Sequence, residues 1–449
     1  MLPDLALLEI FDFFLDGPWI EEWHTLVHVC RNWRNIVFGS PRRLNLRLYC
    51  TATTPVRETL NIWPLFPIVI RVSGGMWGLD NIVAALEHND RICEFDLSHI
   101  SSSLLGRVLA AMHQPFPALT RLQLWPYDND ITAPVQPPSF LGGFAPQLRS
   151  LILGCIPFPG LPKLLLSATH LVYLTLWKIP RSGYFSPEAM VTCLSVLTKL
   201  EGLVIRFESP RSRPDPNSRR PPPQTRTLLP ALTELRFKGV AEYLEDVMAR
   251  IDTPLLDKLG ITFFHQLLFH SVQLTQFISR TPKFRTHDEA RVSFSNTNVS
   301  IKLPQTSDGV FELGISCRQS NMQLSSLVQV CSSSFSQVLS PAVEHLYIIQ
   351  ERTSLSRWQD NFESGRWLEL LRSFTAVKDL YISREIVPRI ARALQGLIDE
   401  RVTEVLPALQ TLSLDDPVPS RFIQKIIWQF VAARQHSSQP IAVYHWVRR

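Results

Sequence analysis

The sequence lacks the features that would indicate nucleic-acid binding or membrane insertion. Its 449 residues carry a net charge of only +5, and the basic residues are scattered rather than arranged in a stripe, so nucleic acid is not an expected partner. The longest stretch without charge, residues 261–278, contains two histidines and three glutamines. That composition predicts a buried strand and helix rather than a membrane span, and no membrane partner is expected.

Cysteine is scarce and is not arranged in pairs. There are seven cysteines, an odd number, and none forms a C-x-x-C motif, which predicts free thiols in a reducing compartment. Asp4 and Glu9 interrupt the first apolar segment, so a secretory signal peptide is not expected. We therefore expect the protein in the cytoplasm, the nucleus or both.

Sequence signatures of catalysis are also missing. The chain contains no G-x-S-x-G, H-E-x-x-H, G-x-x-x-x-G-K-[ST] or G-x-G-x-x-G motif. His24 and His28 stand one helical turn apart and could place two metal ligands on one helix face, but no third ligand follows, which favours packing. The sequence predicts a protein that is not an enzyme and that needs neither cofactor nor metal.

The first forty residues are instead rich in apolar side chains at helical spacing. Leu7, Ile10, Phe11 and Phe14 follow an i, i+3, i+4, i+7 pattern that ends before Gly17. Further leucines cover a second side, so this helix needs burial on more than one face. The segment Trp23 to Gly39 repeats the pattern and is predicted to be one second helix. Two or three such helices bury little surface by themselves, so the rest of the chain or another protein must cover them.

The residue types and spacing of this segment resemble an F-box. The patterns are L-P-x-x-x-L-L-x-I-F from residue 2 and L-x-x-V-C-x-x-W-R from residue 26. The stretch V-C-R-x-W-R-x-I-V-F-G-S-P-R-R-L-N-L-R-L from residue 29 also resembles F-box-like proteins of mushroom-forming fungi. The resemblance implies that the segment binds a Skp-type adaptor, and through it cullin and RING subunits that transfer ubiquitin to a target. The residues that would contact the adaptor are Leu2, Pro3, Leu7, Leu8, Ile10, Phe11, Leu15, Leu26, Val29, Cys30 and Trp33. The alternative is that these side chains only pack the chain's own core or cap its repeats.

A short block, L-x-x-L-x-L in its simplest form, recurs through the rest of the chain. Its members begin at Ile92, Leu119, Leu148, Leu171, Leu200, Leu232, Leu256, Val343, Val377 and Leu409. Leucine-rich repeats share this pattern at a period of about 20–29 residues, with a strand in each repeat. The predicted fold class is therefore α/β: a helical F-box-like domain over residues 1–48, then an irregular leucine-rich-repeat-like solenoid over 49–449. Parallel strands would lie inside and helices outside.

Two segments interrupt this repeat. Residues 209–226 are rich in proline and arginine with almost no apolar side chains, which predicts a disordered loop between repeats. Between Ile261 and Val343 the spacing breaks, and extra strands with a hairpin around Asn296 to Asn298 are predicted.

Residues that flank the inward leucines would form the face that binds an unidentified target protein. One register contains Trp125, Trp177, Arg206 and Lys238, and the neighbouring register contains Gln123, Thr175, Arg236, Tyr347 and Tyr381; Tyr173 is also included. Trp, Tyr and Arg often anchor protein interfaces, and this set would suit a target with an acidic, partly apolar patch. The alternative is that irregular repeats place some of these side chains in the core or under a loop.

Overall fold

The chain forms two compact units, one comprising Met1–Phe185 with Val196–Leu200, the other Ser186–Ser195 with Glu201–Arg449. The predicted boundary after residue 48 lies within the first unit and stays a prediction. The structure, a computed structural model, describes residues 3–15, 23–41, 44, 46–51, 55–73, 78–127, 139–211, 225–265, 269, 271–284, 287–304, 309–317, 320–333, 343–351, 364–397, 402–415, 420–437 and 439–446. Most of the proline- and arginine-rich segment, residues 212–224, lies outside these ranges.

Three short helices open the first unit: α1 (Asp4–Leu15), α2 (Trp23–Val29) and α3 (Arg31–Gly39). The prediction of one helix from Trp23 to Gly39 was wrong. Cys30 adopts an extended backbone conformation (φ −159°, ψ 170°) and caps α3, its Sγ accepting a hydrogen bond from the Trp33 N–H (3.5 Å). The apolar pattern continues across Cys30, but this cap starts a new helix there. Arg34 joins the two helices by donating from Nε to the Val27 carbonyl (3.0 Å).

Six parallel strands follow in the first unit, hydrogen-bonded in chain order. They are β1 (Leu48–Cys50), β2 (Ile68–Ser73), β3 (Ile92–Ile100), β4 (Arg121–Pro126), β5 (Ser150–Gly154) and β6 (Tyr173–Ile179). Helical segments lie between them at Val56–Ile62, Leu79–Leu86, Ser102–Ala111, Phe140–Gly143 and Leu161–Ser167, and a further one, Arg181–Gly183, follows β6. Two neighbouring parallel strands require such a crossover, because the chain must return to the end of the sheet at which the first strand began.

The second unit continues the same alternation. Its strands are β7 (Gly202–Phe207), β8 (Thr227–Leu228), β9 (Glu234–Gly239), β10 (Ile251–Asp252), β11 (Lys258–Phe264), β12 (Glu289–Phe294), β13 (Asn298–Pro304), β14 (Val310–Ser316), β15 (His345–Gln350), β16 (Asp379–Ile382), β17 (Thr411–Asp415) and β18 (Ala442–Trp446). Helical segments are Pro187–Leu194, Ala241–Met248, Val272–Arg280, Pro282–Phe284, Ser320–Ser333, Ser364–Arg372, Val387–Gln395 and Arg421–His436. The main sheet has the order β7-β9-β11-β14-β13-β12-β15-β16-β17-β18, and β8 pairs with β10 separately.

The predicted extra strands are the antiparallel part of this sheet. β13 is antiparallel to both β12 and β14, whereas the other pairs are parallel. The tight turn between β12 and β13 is closed by a hydrogen bond from the Ser295 N–H to the Asn298 carbonyl (2.9 Å). The hairpin predicted around Asn296 to Asn298 is therefore confirmed, and it places β14 rather than β12 beside β11.

The recurring apolar triplets form the cores. Every residue of the ten predicted triplets is buried, for example Leu119, Leu122 and Leu124, which have no exposed surface. Because alternate strand residues point to opposite faces, one face of each sheet packs under the helices and the other carries polar and aromatic residues. The α/β fold of leucine-rich-repeat type predicted from the sequence is confirmed by this ladder of parallel strands.

Candidate protein-interaction surfaces

The first helix divides its apolar residues between the core and the surface. Leu7, Leu8 and Phe11 are 6%, 8% and 0% exposed. Ile10 and Phe13 are 49% and 85% exposed. Leu5 and Phe14 are also exposed. Of the residues predicted to contact the adaptor, Leu7, Leu8 and Phe11 thus lie inside the protein's own core, whereas Ile10 is accessible.

Four more of the predicted docking residues lie on α2, on α3 or at the junction between them. The Phe11 and Trp33 rings are in contact, with centroids 4.8 Å apart, and Leu26 is buried. Val29 is 58% exposed and the neighbouring Cys30 is also exposed. Pro3 is exposed at the start of α1, while Leu2 and the side chain of Leu15 lie outside the described residues.

An aromatic cluster packs α2 against residues that follow α3 in the first unit. Trp23 is only 2% exposed, and its Nε1 donates a hydrogen bond to the Arg47 carbonyl (3.1 Å). Its ring packs edge-on against Trp63 and Phe66, with centroids 5.2 and 5.5 Å away. His24 stacks on the same Trp63 ring at 5.0 Å, which agrees with a packing role for this histidine. Buried aromatic contacts of this kind hold α2 in place.

On the open face of the first unit's sheet, two tryptophans meet across a glycine. Gly154 on β5 lies between Trp125 on β4 and Trp177 on β6, whose ring centroids are 5.4 Å apart. A Cβ at Gly154 would lie 3.2 Å from Trp125 Cδ2, so the missing side chain lets the two rings touch. The neighbouring register contains Gln123 and Thr175, as predicted, and the 52% exposed Tyr173 lies at the start of β6.

One row of paired residues crosses all ten strands of the second unit's main sheet. In the order of the sheet the row is Val204, Arg236, Gly260, Glu312, Lys302, Arg291, Tyr347, Tyr381, Ser413 and Tyr444. Arg206 and Lys238 pair in the row two residues further along the strands. The predicted registers are therefore confirmed within this unit, and the residues flanking the inward apolar side chains share one face.

Stacked tyrosines occupy one part of this row. The Tyr347 and Tyr381 rings are parallel to within 6° with centroids 4.3 Å apart, and the Arg291 guanidinium lies 5.3 Å from the Tyr347 ring. Partial burial, with Glu289 and Tyr381 nearby, raises the pKa of Tyr347 to about 12. Tyr347 therefore stays protonated at neutral pH and offers a neutral aromatic surface next to a cation. A cavity of about 170 Å³ opens beside the pair.

A second cavity, of about 350 Å³, opens further along the same face, and four of its lining residues are cations. Its charged lining residues are Arg206, Arg236, Lys258, Lys302 and Glu312. Partial burial, with Arg236 close by, lowers the pKa of Arg206 from its ordinary value, and Glu312 opposes that effect. Even so, an arginine keeps its charge at neutral pH, so the cavity is a positively charged cleft.

The sequence patterns missed several residues of these surfaces. Lys258, Lys302 and Glu312 flank apolar strand residues by alternation, which was the available signal, but they lie at the start of a repeat or in the extra strands. Leu5, Phe13 and Phe14 of α1 were also missed as exposed residues. A helical projection separates Phe13 from the buried residues, whereas Phe14 shares the stripe of Leu7 and Phe11 and is exposed near the end of the helix.

In the described part of the chain we looked for a metal site and for a helix that could span a membrane. No group of three or more His, Cys, Asp or Glu side chains in it is arranged to hold a metal ion. Among the helices described, none has the length and apolar character needed to cross a bilayer. All seven cysteines are free thiols.

Fold and surfaces together define a leucine-rich-repeat-like protein whose open strand faces carry polar and aromatic residues, a kind of surface on which repeat proteins bind partners. No family model matches the chain, and a search of curated proteins found no match. Among solved structures, the chain resembles the leucine-rich repeat-containing protein LegL7 from Legionella pneumophila, with 11% identity and a TM-score of 0.29 over 86% of this chain and 97% of that one. The fold assignment rests on the strand ladder itself.

Proposed function

We propose that this protein is the substrate-recognition adaptor of an SCF-type ubiquitin ligase. The helices α1–α3 bind a Skp-type adaptor, which links the chain to cullin and RING subunits, and the open strand face binds a target protein. The chain itself is not catalytic, since ubiquitin transfer is performed by the partner subunits. Such an assembly works in the cytoplasm or nucleus, which suits a chain with seven free thiols.

The observation that carries this proposal is the exposed apolar side of α1. Phe13 lies on the helix face opposite Leu7, Leu8 and Phe11, and Ile10 lies to the side of that buried face. Both are exposed, so α1 has apolar residues left over after its own packing is complete. Burying a side chain of this size stabilises a complex by roughly 1.5–3 kcal/mol. Several such residues provide enough apolar surface to offset the cost of ordering an interface.

A direct test is capture of a purified Skp-type adaptor by the full chain carrying Ile10→Asp and Phe13→Asp. Both side chains are exposed, so the double variant keeps its fold, which circular dichroism verifies. We expect capture to be lost, because each substitution places a charge in a desolvated interface. The matched control is Ile62→Asp with Leu65→Asp, two side chains that are 72% and 83% exposed elsewhere in the same unit. The control should bind like the unaltered chain.

The alternative is a repeat scaffold unconnected to ubiquitin, in which α1–α3 only cap the repeats. The Trp23 cluster favours this alternative, because it joins α2 to Arg47, Trp63 and Phe66, as a cap would be joined to the repeats. If the unaltered chain does not capture the adaptor, or if the α1 variant captures it normally, the adaptor assignment is wrong and the scaffold remains.

A further inference from the structure

The cleft on the open face of the second unit selects for negative charge. Four cations line it, Arg206, Arg236, Lys258 and Lys302, and Glu312 is the one acid among the described lining residues. Arg236 pairs through Nε with Glu234, which partly offsets its charge. Lys238, beside Arg206 in the ladder and 5.5 Å from the Phe264 ring, adds a further positive charge nearby. The net charge of the residues that line the cleft is positive, and the low-dielectric walls of the cleft strengthen the electric field of these charges.

Gly260 gives the cleft its depth. It lies between Arg236 and Glu312 in the row that crosses the sheet, and it also lines the cleft. A Cβ there would already be in van der Waals contact with Arg236 Cγ, at 3.5 Å. Because position 260 has no side chain, the strand backbone forms the floor and the flanking long side chains form the walls. An anionic side chain can therefore enter between cations rather than rest on top of them.

The stacked tyrosines lie at a fixed separation from this cleft. Gly260 is on β11 and Tyr381 is on β16, five strands further in the order of the sheet and in the same row. Neighbouring strands are about 4.8 Å apart, so the two positions are separated by about 24 Å along the sheet. An extended peptide spans that distance in about seven residues.

We propose that this face binds an extended acidic peptide segment, with acidic side chains in the cleft and an apolar side chain about seven residues away against the tyrosine pair. This deepens the proposed function by specifying the class of target segment that the strand face recognises. Charge complementarity fixes the first anchor, and the flat aromatic pair with its adjoining cavity of about 170 Å³ fixes the second.

The test measures binding of a fluorescein-labelled peptide to the full chain by fluorescence anisotropy. The peptide carries a cluster of glutamates and a phenylalanine about seven residues from it. Replacing the glutamates by glutamines should weaken binding about tenfold or more, and added salt should weaken the acidic peptide but not the neutral one. Moving the phenylalanine next to the glutamates should also weaken binding, because one peptide can then no longer reach both anchors.

Variants of the chain locate the binding site. Lys258→Glu with Lys302→Glu reverses two exposed charges of the cleft and should weaken the acidic peptide about tenfold or more. The matched control, Arg421→Glu with Lys425→Glu, makes the same change of net charge at exposed positions of the last helix and should have little effect. Glu312→Gln removes the acid from the cleft and should tighten binding about twofold.

Several results would overturn this proposal. They are absence of acidic-peptide binding, equal binding of the glutamine peptide, or equal losses for the two charge-reversal variants. Displacement of the peptide by an equal concentration of inorganic phosphate would instead identify a small-anion site, and tighter binding of single-stranded RNA would identify a nucleic-acid surface. The assay contains no Skp-type adaptor, so peptide binding can succeed where adaptor capture fails, and the reverse.

Discussion

Neighbouring apolar residues of α1 differ in whether they are buried in the protein's core or exposed. Phe11 is fully buried against Trp33, whereas Ile10 and Phe13 project outward. The F-box-like pattern treats all of these as members of one apolar set, but the structure separates residues that hold the helix in place from residues that remain available to a partner. The same residue type, phenylalanine, therefore serves folding at position 11 and is available for binding at position 13.

This separation predicts different costs for two identical substitutions. Phe11→Ala removes a ring that has no exposed surface and should lower the free energy of unfolding by roughly 3–5 kcal/mol. Phe13→Ala removes a ring that is 85% exposed and should change it by less than about 0.5 kcal/mol. Urea unfolding followed by far-ultraviolet circular dichroism compares them. Equal shifts of the unfolding midpoint would contradict the division of α1 into a buried and an available side.

At the scale of elements, the break between α2 and α3 exposes a thiol at the proposed docking surface. Cys30 is the one exposed cysteine of the seven, and its neighbour Val29 is 58% exposed. Cys50, Cys193, Cys317 and Cys331 are buried. Burial raises the pKa of Cys331 to about 12 and that of Cys193 to about 11, which keeps these thiols protonated and unreactive at neutral pH.

We therefore predict that iodoacetamide modifies Cys30 first, and that a bound Skp-type adaptor slows this reaction severalfold. The reason is steric, since a partner seated on Val29 and Ile10 would cover the adjacent Sγ. Mass spectrometry of tryptic peptides follows the rate at each cysteine. Cys155, which is half-buried at the end of β5, is the internal control, and its rate should not change. Protection of Cys155 without protection of Cys30 would mean that the adaptor binds elsewhere.

The elements also show what a single sequence can and cannot predict. The L-x-x-L-x-L blocks predicted the parallel strands correctly, because alternation fixes which side of a strand faces the core. The helix break at Cys30 was missed because Val29, Cys30 and Trp33 continue the apolar period, and only the backbone conformation at Cys30 interrupts it. Helical period reports which face is apolar and carries no information about where the chain changes direction.

The order of the strands in the second unit's sheet could not be predicted from the sequence for a related reason. Alternation placed Arg236 on the open face correctly, but it could not show that β14 pairs with β11 while β13 and β12 follow. That order places Glu312 next to Gly260 and Lys302 next to Glu312, and so builds the cleft. Strand order depends on long-range pairing, which a local pattern does not encode.

At the scale of the whole molecule, the two proposed binding surfaces belong to different compact units. The helices α1–α3 lie in the first unit, and the cleft with the stacked tyrosines lies in the second. The two surfaces have no residue in common. An adaptor that joins a ligase to a target needs both surfaces occupied at once.

We predict that the two binding activities are energetically independent. The chain with Ile10→Asp and Phe13→Asp should lose adaptor capture and bind the acidic peptide with unchanged affinity, and the chain with Lys258→Glu and Lys302→Glu should do the opposite. Saturating adaptor should leave the peptide affinity unchanged within about 0.5 kcal/mol, the usual limit for sites that share no partners. Anisotropy titrations with and without adaptor measure this coupling directly.

A larger coupling would have a definite physical meaning because linkage is reciprocal. If the adaptor tightened the peptide by a given factor, the peptide would tighten the adaptor by the same factor. The chain carrying all four substitutions separates the possible causes: under independence it shows only the sum of the two losses. Suppose that the coupling is tenfold, which is equivalent to about 1.4 kcal/mol, and that it persists in Arg421→Glu with Lys425→Glu but vanishes in either binding variant. This result would show that occupancy of one surface reorganises the other. The two binding activities would then not be independent.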